Sequence, residues 1–293
     1  MSLEFTPIDL EQQKDYHARL AQCSQTASEY SFINLWGWAR EYGLQWAWHE
    51  NLVWVRQAKP YPALWAPVGN WAAADWDKSL AAIKDVADRI IRVPEKLMHL
   101  LQSRGTPPLE VMETRGQWDY LYSREDLVTL QGNRYHKKKN LVNQFRKNYT
   151  AQYLPFGPGM VDQALAMQED WCTWRDCESH ETLASENKAI ELILGNWRRL
   201  EGITGGAIRV DSTLVAYTIA EIMPDQSLVI HFEKGNPDYK GSYQAINQMF
   251  LEQAPPSVIL VNREQDLDNE GLRKAKLSYH PVDFVKKWEV RFR

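Results

Sequence analysis

The sequence has no run of apolar residues near the roughly 20 that a membrane-spanning helix needs, so it predicts no transmembrane segment. Its first residues, MSLEFTPIDL, show neither the basic nor the apolar region of a signal peptide. Cysteine is scarce as well: Cys23, Cys172 and Cys177 are three in 293 residues. An odd and sparse set is typical of reduced thiols, and we predict a cytoplasmic protein. Peripheral contact with a membrane stays open.

Short catalytic motifs are missing too. The chain has no GxSxG elbow, no HExxH pair, no Walker loop and no GxGxxG turn, and nothing in it marks a catalytic triad. The stretch WCTWRDCESH brings Cys172, Cys177 and His180 together, but their spacing matches no standard zinc site. We predict that these residues pack a helix and that the protein holds no metal.

Aromatic residues and one basic segment are what stands out. Thirteen Trp and thirteen Tyr can fill large cores or line a pocket. The net charge is -4, so any affinity for a polyanion must come from a local patch. The segment GNRYHKKKNLVNQFRKNY, residues 132–149, offers such a patch, since it carries six Lys or Arg and no acid.

The order of predicted elements indicates an α/β protein. The first half alternates helices with short aromatic-rich strands. In the second half, two long helices precede three closely spaced strands, GGAIRVD, LVAYTIAEIM and SLVIHFEKG, which predict an antiparallel meander over 204–235. A helix near Ser242, a strand at 257–263, a second helix and a closing strand follow.

This order is similar to the layout of the N-acetyltransferase (GNAT) fold, and the segment after the meander resembles its acyl-CoA loop. In that superfamily, N–H groups at a helix N-terminus hold a pyrophosphate. The resemblance assigns donor binding to Tyr239, Lys240, Gly241, Tyr243 and Gln244. Where the superfamily has a second glycine, this chain has Tyr243. We therefore predict that acetyl-CoA binds weakly or not at all.

Three longer segments carry a narrower resemblance: RYHKKKNLVNQFRKNY, HFEKGNPDYKGSYQAINQ and VNREQDLDNEGLRKAKLSYHPVDFV. They resemble a bacterial family related to the C-terminal, catalytic domain of phosphatidylglycerol lysyltransferases. The resemblance implies an α/β (α+β) fold of tandem GNAT-like (acyl-CoA N-acyltransferase) domains with mixed sheets flanked by helices. Fem-type transferases, which move amino acids from tRNA onto peptidoglycan precursors, are built in the same way.

The resemblance also implies an organisation and a function. We expect an N-terminal GNAT-like domain at 1–131, a basic linking helix at 132–150 and a C-terminal GNAT-like domain at 151–293. The expected function is acyl or aminoacyl transfer to an amine or hydroxyl of a small-molecule or peptide acceptor. The donor is aminoacyl-tRNA or acyl-CoA, and no further cofactor is expected. Two alternatives remain: a non-catalytic protein that binds a small molecule, peptide or RNA on a degenerate fold, and a CoA-dependent N-acetyltransferase.

The basic segment predicts an amphipathic helix, because Val142 and Phe145 share one face. Its charged residues are either a solvated surface or a site for a phosphate-bearing donor. The second interpretation gains from the absence of acids, since solvated helices usually mix charges of both signs. It assigns phosphate binding to four residues, namely Lys137, Lys138, Lys139 and Arg146.

Two residues are predicted to be catalytic. Glu233, on the third strand of the meander, resembles the glutamate that serves as general base in GNAT enzymes, although it could equally be a carboxylate paired with a lysine. Lys276 resembles a Fem-type lysine that stabilises charge on the reacting group, although it could be a surface lysine paired with Glu270. The substrate cleft expected around them comprises His231, Asn262, Arg263, Arg273, Lys274 and Tyr279.

Overall fold

The computed structural model describes residues 3–104 and 109–292. The strands are β1 Thr6–Pro7, β2 Gln45–His49, β3 Leu52–Gln57, β4 Ala63–Gly69, β5 Arg89–Pro94, β6 Leu109–Glu113, β7 Asp119–Ser123, β8 Ala151–Pro155, β9 Ile203–Val210, β10 Thr213–Ile222, β11 Leu228–Gly235, β12 Leu260–Asn262, β13 Asp283–Val285 and β14 Lys287–Phe292. The helices are α1 Gln13–Leu20, α2 Phe32–Tyr42, α3 Trp76–Ile83, α4 Glu95–Arg104, α5 Arg124–Thr129, α6 His136–Asn148, α7 Val161–Arg175, α8 Glu181–Gly195, α9 Ser242–Glu252 and α10 Glu270–Leu277.

The chain forms two compact units. The first comprises Met1–Asp119, Gln265–Glu270 and Phe284–Arg293, and the second comprises Tyr120–Glu264 and Gly271–Asp283. The division differs from the bounds expected from the sequence, at 131 and 151, because the C-terminal strand β14 pairs with β5 and β6 in the first sheet. The basic helix α6 lies inside the second unit.

The first unit is built on a seven-stranded sheet in the order β1-β2-β3-β4-β5-β14-β6. Ten of the thirteen tryptophans fall in this unit, and several are wholly buried, among them Trp46 and Trp54. At these positions the aromatic residues form the core of the unit. Strands β4 and β5 run parallel, with Leu64 opposite Ile90.

The second sheet has the order β13-β7-β12-β11-β10-β9-β8. Strands β9, β10 and β11 are antiparallel neighbours, as the sequence predicts. Helix α9 begins at Ser242, also as predicted. Strand β12 begins at Leu260, within the predicted 257–263 range but later, after the turn closed by the Val258 N–H and the Pro255 carbonyl. The mixed α/β class is therefore confirmed.

The geometry of the second sheet opens a gap between two of its strands. Strands β11 and β12 pair in parallel only through Leu228 with Val261 and Val229 with Asn262. Beyond these pairs β12 ends while β11 continues to Gly235. A bulge between Ile230 and Phe232 leaves His231 without a strand partner in the pairing with β10 and interrupts strict alternation.

The cysteine prediction was wrong for one pair. Cys172 and Cys177 form a disulfide across the C-terminal end of α7, because the turn after the helix brings their Cα atoms within 5.0 Å. Cys23 is the free thiol, and burial raises its pKa to about 12. Within 3–104 and 109–292, no group of three or more His, Cys, Asp or Glu is placed to hold a metal ion. No helix in those ranges is both long and apolar enough to cross a bilayer.

Candidate functional site

An ion pair links the region after β12 to the diverging strand β11. Arg263, directly after β12, donates to Oε1 of Glu233 on β11 at 2.9 Å. Asn247 of α9 donates to the other oxygen, Oε2, also at 2.9 Å. The Glu233 side chain is 9% exposed, so both of its oxygens are largely shielded from water. The predicted base is thus already hydrogen-bonded at each oxygen.

Two cations lie against the ring of Tyr279, next to the ion pair of Glu233 and Arg263. The guanidinium carbon of Arg263 lies 4.7 Å from the ring centroid, and the ammonium nitrogen of Lys138 lies 4.2 Å from it. Both are within the range of cation–π attraction. Burial lowers the pKa of Lys138, and the neighbouring charge of Arg263 lowers it further. Two positive charges are therefore held close together at a site that is partly shielded from water.

Lys276 reaches the same place from α10. Its ammonium donates to the backbone carbonyl of Arg263, and the Tyr122 hydroxyl donates to the Lys276 carbonyl at 2.9 Å. The structure thus brings Glu233, Arg263, Tyr279, Lys138 and Lys276 together within the second unit. Three of the four charged side chains in this set are cations, so the set favours an anionic ligand or a developing negative charge.

A second group of charged side chains surrounds His231 on β11. His231, at the bulge of β11, has Nδ1 2.9 Å from an oxygen of Glu264 and Nε2 3.5 Å from an oxygen of Glu221. Burial alone would lower the pKa of His231, but the neighbouring carboxylates of Glu221 and Glu264 raise it to about 9. His231 is therefore an imidazolium at neutral pH and is held by carboxylates.

The loop before α9 is fixed in place by close packing. Gly241 has φ +92°, and a Cβ there would lie 2.4 Å from the carbonyl oxygen of Leu141, so a side chain is excluded. Tyr243 accepts a hydrogen bond at 2.6 Å from the indole of Trp171. Its ring lies against Gly235, where an added Cβ would be 2.9 Å from Cδ2 of the ring. Gln244, the next residue, is half-buried in the first turn of α9.

The basic helix α6 divides its lysines between two environments. Val142 and Phe145 are buried, and Phe145 belongs to the same hydrophobic cluster as Ile208 of the second sheet, which confirms the predicted docked face. Lys137 and Lys139 are exposed, while Lys138 turns to Tyr279. Arg146 forms an ion pair with Glu252 at 3.2 Å. The four predicted phosphate ligands are thus not equivalent.

Comparison with known proteins identifies the chain. The profile of the family described as phosphatidylglycerol lysyltransferase, C-terminal, matches residues 20–291. The chain belongs to this family. A crystal structure of a conserved protein of unknown function from Bacteroides thetaiotaomicron is 30% identical, with 99% of this chain and 100% of that chain covered and a TM-score of 0.91. An uncharacterized protein of Mycoplasmoides gallisepticum is 26% identical over 179 residues, which are 59% of this chain and 56% of that protein.

The fold reaches further than sequence identity. The structure of L-PGS from Bacillus licheniformis has a TM-score of 0.67 at 11% identity, with 100% of this chain and 93% of that chain covered. The chain therefore shares the fold of that structure, and the resemblance to the lysyltransferase family is confirmed. Family and fold together indicate an acyl or aminoacyl transferase of this type.

The remaining predicted residues of this lysyltransferase-family domain lie in varied places. Asn262 is buried and accepts from the Glu264 N–H at 2.8 Å, which makes it a support of the chain turn after β12. Arg273 is half-buried on α10, and Lys274 beside it is exposed. Lys240 is exposed, and the Tyr239 ring packs on Tyr149.

Sequence reasoning missed three residues of this domain that bear on the site, namely Asn247, Tyr122 and Trp171. Asn247 lies three residues after Gln244 on α9. Its helical phase could therefore have placed it near the donor loop, residues 239–244. Trp171 gave no signal, because its contact with Tyr243 joins residues 72 positions apart.

Proposed function

We propose that this family member transfers an aminoacyl group from aminoacyl-tRNA to an amine or hydroxyl acceptor, using the second unit. The observation that carries the proposal is the set of Lys138, Arg263 and Lys276 around Tyr279, beside Glu233. An RNA donor brings phosphates, and phosphates need cations that are placed in advance. Lys137 and Lys139 add exposed charge on the same helix for the RNA backbone.

The reaction needs a nucleophile, a proton acceptor and charge stabilisation. The acceptor's nitrogen or oxygen attacks the ester carbonyl carbon of the donor, and the bond from that carbon to the ribose oxygen breaks. The acceptor loses a proton, for which Glu233 is the proposed base. The ribose oxygen leaves with a proton. Arg263 and Lys276 are the groups proposed to stabilise the negative oxygen of the tetrahedral intermediate.

The basic helix gives the first test, a comparison of lysines that are neighbours in the sequence. We expect Lys138→Gln to weaken binding of bulk tRNA about tenfold at low salt, because its ammonium is partly desolvated beside Arg263. The double variant Lys137→Gln/Lys139→Gln is expected mainly to flatten the salt dependence, since exposed lysines act through counterion release. Fluorescence anisotropy at several salt concentrations measures both effects.

The control for this test is Lys14→Gln, an exposed lysine on α1 of the first unit. It removes one positive charge, as Lys138→Gln does, and is expected to leave both affinity and salt slope unchanged. The absence of tRNA binding at low salt would refute the RNA donor. Equal effects of all three variants would show only a response to net charge.

The donor loop gives the second prediction. We expect acetyl-CoA to bind with a dissociation constant above the micromolar range, because the Tyr243 ring covers Gly235 and is held by Trp171. Arg263 and Glu233 also bridge the diverging strands, where an extended thioester arm would have to enter. Isothermal titration calorimetry measures the affinity. Micromolar binding would contradict the prediction and favour a CoA-dependent N-acetyltransferase instead.

A non-catalytic binding role is the second candidate function. It is favoured by one observation, namely that both oxygens of Glu233 already accept hydrogen bonds from Arg263 and Asn247. A carboxylate held in this way can serve as an anchor for Arg263 and take no part in proton transfer. Substitutions of Glu233 and Arg263 separate the role of general base from the role of anchor.

A further inference from the structure

The disulfide lies at a junction between two helices of the second unit. Cys172 is in the last turn of α7, and Cys177 begins the short 3₁₀ turn Cys177–Ser179 that leads into α8. Between them, Asp176 ends α7 in the left-handed conformation at φ 51°. The bond therefore fixes where α8 starts relative to the end of α7.

The residue before Cys172 is the centre of a buried set of contacts. Trp171 is 6% exposed, and the ammonium of Lys234 lies 3.5 Å from its ring centroid. Lys234 is itself buried on β11 and is paired with Glu186 of α8 at 2.7 Å. The Lys234 ammonium is thus held by one group from α7 and one from α8, so its burial depends on the placement of both helices.

The same tryptophan touches the donor loop. Its indole donates to the Tyr243 hydroxyl at 2.6 Å, in the first turn of α9. Four residues further along the same helix, Asn247 donates to Oε2 of Glu233 in the candidate site at 2.9 Å. A continuous series of contacts therefore runs from the disulfide through Trp171 and the start of α9 to the site.

We propose that Cys172 and Cys177 form a thiol–disulfide switch that sets the order of the first turns of α9. In the oxidised form the disulfide holds the ends of α7 and α8, Lys234 stays in its pocket and Trp171 holds Tyr243. In the reduced form the two helix ends are tied only by non-covalent contacts. The buried ammonium then gains hydration when α7 and α8 separate, since burial disfavours its charged form.

The chemistry is an ordinary exchange with a low-molecular-weight disulfide such as glutathione disulfide. One cysteine thiolate attacks a sulfur of that disulfide and releases a first thiol, giving a mixed disulfide. The second cysteine attacks the mixed disulfide and releases a second thiol. The two cysteines lose two electrons and two protons in total, and the small disulfide is reduced to two thiols.

The primary test measures amide hydrogen exchange in the full chain, because this readout needs no ligand. Mass spectrometry first counts free thiols after treatment with glutathione disulfide or with a phosphine reductant. We expect exchange over residues 242–250 to be about tenfold faster in the reduced protein. Trp171→Phe keeps the disulfide but lacks the indole donor, so it is expected to exchange fast in both states.

Two further variants complete the design. Cys172→Ser/Cys177→Ser is expected to exchange at the reduced rate whatever the treatment, and Cys23→Ser is expected to respond as the wild type does. Three free thiols after oxidation, or equal exchange in the two wild-type states, would overturn the switch. If the double-serine variant does not fold, the comparison of oxidised with reduced wild type decides alone.

An effect on tRNA affinity rests on the proposed function and forms a separate arm. We expect reduction to weaken tRNA binding about fivefold or more, the usual size of coupling between two sites. A change in exchange without a change in tRNA affinity would keep the structural switch and remove its link to donor binding. Absence of tRNA binding in both states would count against the proposed function, while the exchange measurement would still decide the switch.

Discussion

Lys287→Met is expected to destabilise the protein by about 3–5 kcal/mol, the usual cost of removing one partner from a buried ion pair. The Lys287 side chain is 0% exposed, and its ammonium is hydrogen-bonded to Glu29 and Asp119 in the core of the first unit. Its removal leaves two buried carboxylates with less compensation. Burial already raises the pKa of Glu29, against the opposing charge of Lys287. Urea denaturation followed by circular dichroism measures the loss.

The neighbouring residue supplies a matched control. Lys286 is half-buried, and its ammonium lies 5.5 Å from the ring centroid of Trp118. Lys286→Met is expected to cost no more than about 1 kcal/mol, because a cation–π contact that is partly open to solvent contributes little. Adding Asp119→Asn to Lys287→Met is expected to recover part of the stability, since the remaining carboxylate, Glu29, is then paired with Arg92. A cost equal to that of Lys286→Met would show that the buried charges are not coupled.

This cluster also explains why the proposed site lies in one unit only. In the first unit, Arg92 follows the last parallel pair, Trp65 with Ile91, and its guanidinium carbon lies 4.0 Å from the ring centroid of Trp65. In the second unit, Arg263 follows the last parallel pair in the same way. The two domains thus place an arginine at equivalent points, next to an aromatic ring.

The charges around the two arginines differ. Arg92 has Glu29 at 3.7 Å, and Glu29 shares Lys287 with Asp119, so the first unit sets two cations against two carboxylates. In the part of the chain that the structure describes, Lys138 and Lys276 lie beside Arg263, and Arg263 is paired with the carboxylate of Glu233. A balanced cluster is stable without a ligand, whereas a cationic one gains from an anion. This difference supports the proposal that the donor binds to the second unit.

Local patterns predicted much of the fold. Alternation and turn residues predicted the meander, which the structure forms from β9, β10 and β11. The position of β14 between β5 and β6 could not be read in this way, because strands distant in sequence pair through tertiary packing. The domain bounds expected from the sequence differ from the compact units for that reason.

For the site, too, helical phase is a local signal that sequence can supply, whereas contacts between residues distant in sequence could not be predicted. Lys138 lies four residues before Val142, so helical phase alone could have separated it from Lys137 and Lys139. The pairing of Glu233 with Arg263 was not predicted, since the two residues are 30 positions apart. The disulfide was not predicted because sparse cysteines favour reduced thiols only as a statistical rule.

Glu233 is either the general base of the reaction or an anchor for Arg263. We expect Glu233→Gln to lower the rate of aminoacyl transfer by about 10²–10⁴-fold, the usual contribution of a general base, with tRNA affinity unchanged. Glutamine keeps the size of the side chain and one oxygen for Asn247 or Arg263, but it cannot take a proton. The assay follows single-turnover release of a radiolabelled amino acid from aminoacyl-tRNA, with hydroxylamine as surrogate acceptor.

Arg263→Lys separates the two roles of the pair. Lysine keeps the charge but cannot bind Glu233 and lie along the Tyr279 ring with the planar geometry of arginine. If Glu233 acts only as an anchor, both variants weaken tRNA binding and leave the rate at saturating tRNA unchanged. If it is the base, Glu233→Gln lowers that rate while Arg263→Lys acts on both rate and affinity.

Glu264→Gln is the control, because it alters the neighbouring pair with His231. It is expected to change the rate far less than Glu233→Gln, because Glu264 is hydrogen-bonded to His231. Equal losses of rate for the two glutamates would reduce Glu233 to a structural carboxylate, and absence of transfer by the wild type would favour the non-catalytic function.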